Sequence, residues 1–303
     1  MTALDDLLAM LSGWTPLADD AVTWRRLDGA IARLGEELTE AELPAAREKL
    51  HVYFLQAPCI ARAWSKPRGY PGDSGIMDMG YRNLPEGATP LGRCLHQWFS
   101  LSRGGTAVRA RRRWILQQMQ RHGRHYPHRW RALSVAGGSA WELRDLVEES
   151  FLVRTAELTL LDQDPRALED AVEGYETAAA RVGRRAPLTV VRSDIRALLR
   201  GETTLPPQDF IYSLGLYDYL PERAARALTV RLYDLLDPGG QLVVANYLPG
   251  GDAQPMLEIL MDWTLVYRST DALAALADGL DGAVEVVPDS TGTLAALVVT
   301  KPG

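Results

Sequence analysis

From residue 131 onward the sequence alternates short apolar runs with longer amphipathic stretches, and this alternation most restricts what the chain can fold into. Arg131-Ala-Leu-Ser-Val-Ala136 ends in Gly137-Gly138 and is followed by a helical pattern through Trp141, Leu143, Leu146 and Val147. Leu158-Thr-Leu-Leu161 ends in Asp162, a helix is expected from Pro165 to Ala180, and Leu188-Thr-Val-Val191 leads to Asp194. Phe210-Ile-Tyr-Ser213, a helix from Glu222 to Leu236 stopped by Pro238-Gly-Gly240, and Gln241-Leu-Val-Val-Ala245 complete the series. Strands separated by helices of roughly 10 to 15 residues require βαβ units, a parallel sheet and right-handed crossovers. The end differs: Ala283-Val-Glu-Val-Val287 and Leu294-Ala-Ala-Leu-Val-Val299 read as an antiparallel hairpin at one edge of that sheet.

The first 130 residues read as helices and loops. Leu4, Leu7, Leu8 and Leu11 form one amphipathic set, Leu27, Ile31, Leu34 and Leu38 another, and Pro44 opens a third segment. Lys66-Pro-Arg-Gly-Tyr-Pro-Gly-Asp-Ser-Gly75 is too rich in glycine and proline for a regular element and is expected to be a loop. The expected organisation is therefore an α/β chain: a helical cap over 1–130, which covers the mouth of the site, and a sheet domain over 131–303, with the boundary near Pro127.

In an open α/β sheet, ligands bind beyond the carboxyl ends of the strands, so the residues just after each strand are the informative ones. Ala136-Gly137-Gly138-Ser139 lets backbone approach a ligand and aims the next helix's N-terminal amides at it. Asp162 follows the second strand, where a carboxylate accepts from ribose hydroxyls. Asp194 and Ile195 follow the third, suited to an adenine amino group and ring. Ser213 begins Ser-Leu-Gly-Leu-Tyr-Asp-Tyr219 after the fourth, and Asn246-Tyr247 follow the fifth. Each piece has an ordinary reading: Gly-Gly is a tight turn, and an aspartate after a strand is an N-cap, as Asp164 before Pro165 can be. Four consecutive strand ends in the order a nucleoside requires are harder to meet by accident. A nicotinamide dinucleotide site lacks its third glycine, because Trp141 stands there.

Residues 131–300 resemble the class I S-adenosylmethionine-dependent methyltransferases. The resemblance implies a Rossmann-like seven-stranded sheet whose last strand is inserted antiparallel. The family's first motif carries an acidic residue and then G-x-G, where this chain has Ser134 and Ala136 in place of the acid and the first glycine. Residue by residue, the resemblance makes Ala136, Gly137 and Gly138 the methionine-end loop. It makes Asp162 the ribose ligand, with Gln163 next to it a further cofactor-binding residue, Asp194 and Ile195 the adenine pocket, and Ser213 a backbone contact beside the sulfonium. Arg68-Gly-Tyr-Pro-Gly-Asp73, Leu214-Gly-Leu-Tyr-Asp-Tyr-Leu-Pro221, Asn246-Tyr-Leu-Pro249 and Trp263-Thr-Leu-Val-Tyr-Arg268 look like the bacterial group that includes enzymes making 3-hydroxy fatty acid methyl esters. The scaffold is also similar to azetidine-2-carboxylate synthases, which cyclise S-adenosylmethionine and release methylthioadenosine. In either case Tyr70, Tyr217 and Asn246 are the expected catalytic residues. Tyr217 is placed beside the reacting methyl, Tyr70 in a lid hinged at Gly69 and Gly72, and Arg68 or Asp73 on the methionine carboxylate or amine. Tyr70, Tyr81, Tyr217, Tyr219 and Tyr247 are core packing individually and an electron-rich wall around a sulfonium as a set.

Composition narrows the function. Residues 1–150 hold 20 Lys+Arg against 17 Asp+Glu, while residues 151–303 hold 13 against 22. The arginines at 109, 111, 112, 113, 121, 124, 129 and 131 lie in a stretch with no acid, from Gly87 to Trp141. With Val108, Ile115 and Met119 on one stripe, they read as a solvated helix face, and aromatics do not interleave with them as on a single-strand nucleic-acid surface. A polyanion-binding, non-catalytic nucleotide module is the reading from another class, and it predicts salt-sensitive association. Cys59 and Cys94 are too few for a sulfur metal cage, so no metal is expected. The five histidines all precede the sheet and read as surface residues, and only three lysines occur, none of them in a motif. This scarcity favours positioning over general-base chemistry. No apolar run approaches the roughly 18 to 20 residues of a membrane span, and the acidic start is unlike a secretory signal. A cytoplasmic enzyme on a small-molecule substrate is expected; oligomeric state is not readable.

Overall fold

The computed structural model describes residues 2–16 and 20–303. The chain divides into two units, Met1–Val108 with Gly250–Thr264, and Arg109–Pro249 with Leu265–Gly303.

The first unit is helical: α1 (Ala3–Ser12), α2 (Asp20–Glu37), α3 (Leu43–Phe54), α4 (Pro58–Ser65), α5 (Ser74–Arg82), α6 (Pro90–Leu101) and the start of α7 (Arg103–Gly123). Helix α1 starts with a reciprocal cap in which the Asp5 amide donates to the Thr2 hydroxyl and the Thr2 amide donates to the Asp5 carboxylate. Leu7 and Leu11 of α1 and Leu27, Ile31 and Leu34 of α2 are buried, as their spacing predicts. The Gly/Pro-rich segment is the link between α4 and α5. Lys66 closes α4 in the left-handed region at φ 47°. The helix Ala253–Met261 joins this unit from far along the chain because its end is anchored here. Asp262 accepts from Lys66 at 2.7 Å and from Arg47 at 3.2 Å, and the Leu260 carbonyl lies 2.9 Å from His51 Nε2.

The second unit holds β1 (Trp130–Val135), α8 (Trp141–Glu149), β2 (Ala156–Asp162), α9 (Pro165–Val182), β3 (Leu188–Arg192), α10 (Ile195–Leu199), β4 (Gln208–Ser213), α11 (Glu222–Asp234), β5 (Leu236–Tyr247), β6 (Ala283–Pro288) and β7 (Leu294–Thr300). They form one seven-stranded sheet in the order β3-β2-β1-β4-β5-β7-β6. The five strands β1 to β5 pair in parallel, and the final hairpin inserts β7 antiparallel between β5 and β6. Strand β1 sits centrally and buries nearly every residue, as a parallel strand covered on both faces must. Alternate residues of β1 serve opposite faces. Ala132 packs with Leu143, Leu146 and Tyr175 on one face, and Leu133 and Val135 pack with Leu228 and Leu232 on the other.

Three features differ from the sequence-based expectation. The dividing line falls within α7 rather than near Pro127, because Ile115, Leu116 and Met119 pack into the core of the sheet unit. The arginines of α7 are not uniformly a solvated face: Arg111 is buried, and Arg112 forks onto Asp145 of α8 at 2.6 and 2.5 Å. Arg113 and Arg129 do lie exposed, paired with Glu149 and Glu157. Finally, Pro238-Gly-Gly240 lies inside β5 rather than before it. Leu236 already pairs with Gln208, and the register then jumps so that Gln241 faces Phe210. Proline has no amide to give the ladder, so the excess residues bulge out with Gly239 at φ 78°.

Candidate functional site

The carboxyl ends of β1, β2 and β4 come together at the switch point, where the chain leaves β1 in opposite directions toward β2 and β4. The turn after β1 is unusual in its backbone. Ala136, Gly138 and Ala140 all adopt left-handed φ values, of 51°, 58° and 44°. Only glycine takes this conformation without cost, and each L residue there carries roughly 1 to 2 kcal/mol. Ala136 therefore holds, under strain, the conformation that a glycine would supply freely. Gly137 is required for space, since a Cβ there would collide with Ser134 Oγ and with Leu160 Cδ1, which it would meet at 2.5 Å.

Asp162, at the end of β2, shapes this turn. Its buried carboxylate accepts from the Gly138 amide at 2.8 Å and from the Asp164 amide at 2.9 Å. Burial raises its pKa, while the amides of Asp164, Gly138 and Gln163 pull it down. Two carboxylate oxygens offer about four lone-pair sites, so one remains beyond these three amides for a further donor. Asp164 is the N-cap of α9, with Pro165 in its first turn. Gln163, between the two aspartates, is exposed. Asp194 caps α10, accepting from the Ala197 amide at 2.8 Å through one oxygen, and Ile195 beside it is half-buried. Two hydroxyls at this edge, Ser134 Oγ of β1 and Ser213 Oγ of β4, are buried without a hydrogen-bond partner among the described residues. Buried polar groups are nearly always paired, which makes these two hydroxyls on neighbouring strands exceptions.

A second polar cluster lies at the ends of β4 and β5, and it is closed. Arg268, almost fully buried, donates to the Tyr217 carbonyl at 2.8 Å, the Leu220 carbonyl at 2.5 Å and Asn246 Oδ1 at 2.6 Å. Asn246 Nδ2 donates in turn to the carbonyls of Tyr247 and Val266, both at 2.9 Å. Asp218 accepts the Tyr247 amide at 2.7 Å; burial pushes its carboxyl up to about 6 against the pull of that amide, Arg111 and Arg268. The three motifs Leu214–Pro221, Asn246–Pro249 and Trp263–Arg268 thus converge on one buried knot.

This places the residues expected to be catalytic. Asn246 is engaged on both ends of its amide within the knot. Tyr217 does not stand at the open edge: its side chain is fully buried in the core with Leu228 and Leu232, and its hydroxyl lies 3.1 Å from Thr229 Oγ1. Burial raises the pKa of that hydroxyl, opposed by the Thr229 hydrogen bond and by Arg268. Tyr217 opens the 3-10 turn Tyr217–Tyr219, in which Asp218 is buried as well. Arg68, Tyr70 and Asp73 belong to the helical unit. Asp73 is fully buried, forks with Arg62 at 2.7 Å through both oxygens, and accepts the Ile76 amide as N-cap of α5. Arg68 donates to Ser74 Oγ, and Tyr70 lies half-buried in the loop. The histidines expected at the surface include His96, which is fully buried in α6.

Sequence reasoning missed Glu142. It is buried in the first turn of α8 and accepts the Tyr212 hydroxyl at 2.9 Å, and burial raises its pKa against that bond. The signal was present: Glu142 and Asp145 flank the apolar residues Leu143 and Leu146, too close to that stripe to face water. Arg268 and Asp218 were visible as motif members but carried no assigned role.

No protein-family profile and no curated protein matches the chain. Solved structures do. A possible exported protein from Bordetella parapertussis is 21% identical over 94% of this chain and 96% of its own, with a TM-score of 0.62. The magnesium protoporphyrin IX methyltransferase of Synechocystis PCC 6803 is 11% identical over 80% of this chain and 98% of its own, with a TM-score of 0.53. The S-adenosylmethionine-dependent methyltransferase SibL matches over 99% and 96%, at 16% identity and a TM-score of 0.51. The chain has the class I methyltransferase fold. In that fold the inserted antiparallel β7 is the distinguishing strand, and the open edge at β1, β2 and β4 is the switch point described above. Among the described residues, no helix is long and apolar enough to cross a membrane.

Proposed function

We propose that the chain is an S-adenosylmethionine-dependent methyltransferase acting on a small-molecule acceptor, with the cofactor along the carboxyl ends of β1 to β4. The observation that carries this reading is the open edge itself: a strained Ala136–Gly138 turn fastened to Asp162, with the orphaned hydroxyls of Ser134 and Ser213 beside it. The bound S-adenosylhomocysteine in the Synechocystis enzyme of like fold supports the choice of ligand.

On this reading Asp162 accepts from a ribose hydroxyl through its remaining lone-pair site, helped by the exposed Gln163. Asp194 keeps one oxygen for an adenine amino group while Ile195 covers the ring. Ala136, Gly137 and Gly138 bring bare backbone to the methionine end, and Ser213 borders the reacting centre. The cofactor supplies an electrophilic sulfonium methyl group. In-line displacement asks mainly for distance, angle and exclusion of water. No histidine or lysine occurs among these strand-end residues, so the acceptor class favoured is a carboxylate, which is already a nucleophile and needs no base.

A second reading, cyclisation to azetidine-2-carboxylate, draws on Ser134. A neutral hydroxyl at that position leaves an α-amine free of a fixed carboxylate partner. Incubation with S-adenosylmethionine alone separates the two. Methyl transfer predicts no methylthioadenosine beyond uncatalysed breakdown, and S-adenosylhomocysteine once a carboxylic acid acceptor is added. Enzyme-dependent methylthioadenosine would overturn methyl transfer in favour of cyclisation.

A further inference from the structure

The turn after β1 carries alanine at two left-handed positions, Ala136 and Ala140, and such a backbone persists only where its surroundings hold it. At Ala140, with φ 44° and ψ 49°, the holding contacts are made to the peptide just before it. The Ala140 amide donates to the Gly137 carbonyl at 3.0 Å, and the Ser139 carbonyl accepts from Arg144 Nη2 at 3.1 Å. Both ends of the Ser139–Ala140 peptide plane are thereby fixed, one of them by a side chain. Arg144 stands in the first half of α8 and is itself anchored outside the turn. The same Nη2 donates to the Asp170 carbonyl of α9 at 3.0 Å, and the guanidinium lies 4.7 Å from the centre of the Trp141 ring, a cation–π contact. Helix α9 makes room for it: a Cβ at Gly174 would collide with Cζ, Nε and Nη2 of Arg144. Arg144 therefore ties the turn to α9 across a gap that a glycine keeps open.

We propose that Arg144 is a positioning residue for the amino-acid end of the cofactor: it locks the Ser139–Ala140 peptide, so that a turn built with alanine keeps a shape that glycine would adopt unaided. Arg144 acts through the turn and not by touching the ligand. This role rests on the cofactor reading of the open edge, in which the Ala136–Gly138 backbone meets the methionine end. It confines the consequence to that end, because Asp162 and Asp194, assigned to ribose and adenine, are held by amides of their own.

The test is calorimetric titration of the full chain with S-adenosylhomocysteine and with methylthioadenosine, which share adenosine and a thioether and differ in the amino-acid end. Arg144→Met should weaken S-adenosylhomocysteine about 10-fold, the effect of one lost charge-assisted hydrogen bond, and methylthioadenosine by less than about 2-fold. Adding Ala140→Gly should recover about 3-fold of that loss, because glycine takes a left-handed φ without being held. General damage to the fold would not be recovered in this way. Gly174→Ala is the second variant: alanine favours the helix, and the flexible guanidinium is what must yield. It should again weaken S-adenosylhomocysteine and spare methylthioadenosine. Equal weakening of the two ligands by Arg144→Met, or none, would overturn the role and leave the cofactor reading standing; if that variant does not fold, the same comparison in Gly174→Ala decides. Failure of the unaltered protein to bind S-adenosylhomocysteine would instead overturn the cofactor reading, and this role with it.

Discussion

Around Arg268 the hydrogen bonds close, and around Gly137 they do not. Both regions lie at the carboxyl edge of one sheet, both are built from motif residues, and both bury polar side chains. In the first, the guanidinium of Arg268 reaches two carbonyls and Asn246, and Asn246 reaches two more carbonyls. In the second, Ser134 and Ser213 have hydroxyls with nothing to bond, and the backbone at Ala136 is held in a conformation its side chain disfavours. A closed network fixes the loops after β4 and β5. An incomplete one beside strained backbone is the kind of place that a ligand completes. The same motif resemblance pointed to both, so sequence signature by itself does not separate a residue that binds from one that holds the binding residues still.

The largest effect is expected at the closed region. Arg268→Met should leave the Tyr217 and Leu220 carbonyls and Asn246 unmet in the interior, at about 3 to 5 kcal/mol of stability in urea unfolding. A loss below about 1 kcal/mol would mean that the knot is not closed in solution.

Asp218 sharpens the same point through pH. Its carboxyl titrates near 6 in the folded chain, raised by burial, against about 3.9 unfolded. The folded chain holds this proton more firmly, so Asp218 contributes most below pH 4. That contribution is lost as pH rises through 6, by roughly 3 kcal/mol across the window. Asp218→Asn cannot ionise. Its stability relative to the unaltered protein should therefore rise between pH 4 and pH 6, and parallel curves would contradict the assignment.

The open region is tested by crowding it. Gly137→Ala should cost about 1 to 3 kcal/mol because its Cβ meets Ser134 and Leu160. Adding Ser134→Ala removes one of the two obstacles and should recover part of the loss. A neutral Gly137→Ala would remove the steric argument for the turn.

Much of the fold was legible because it rests on local pattern. The apolar runs of β1, β2 and β4, the cap at Asp164-Pro165 and the final hairpin each carry their signal within a few residues. What escaped depends on partners distant in sequence. Arg112 reads as solvated until α8 brings Asp145 to it, and Ala253–Met261 reads as part of the sheet domain until Lys66 and Arg47 meet Asp262. Of the site, Gly137, Gly138 and Asp162 were legible as strand-end residues, and they meet. Tyr217 follows the same rule a few residues after Ser213, but its ring packs into the core with Leu228 and Leu232, partners that the strand-end pattern does not show. Asn246 was legible as a strand-end residue, yet its amide is engaged by an arginine 22 positions further on.

Calorimetric titration of S-adenosylmethionine into the protein and its Asp162→Ala variant tests the central claim, that the open edge is the cofactor site. Loss of the ribose acceptor should weaken binding about 10-fold or more, equivalent to about 1.4 kcal/mol. An unchanged dissociation constant would contradict it.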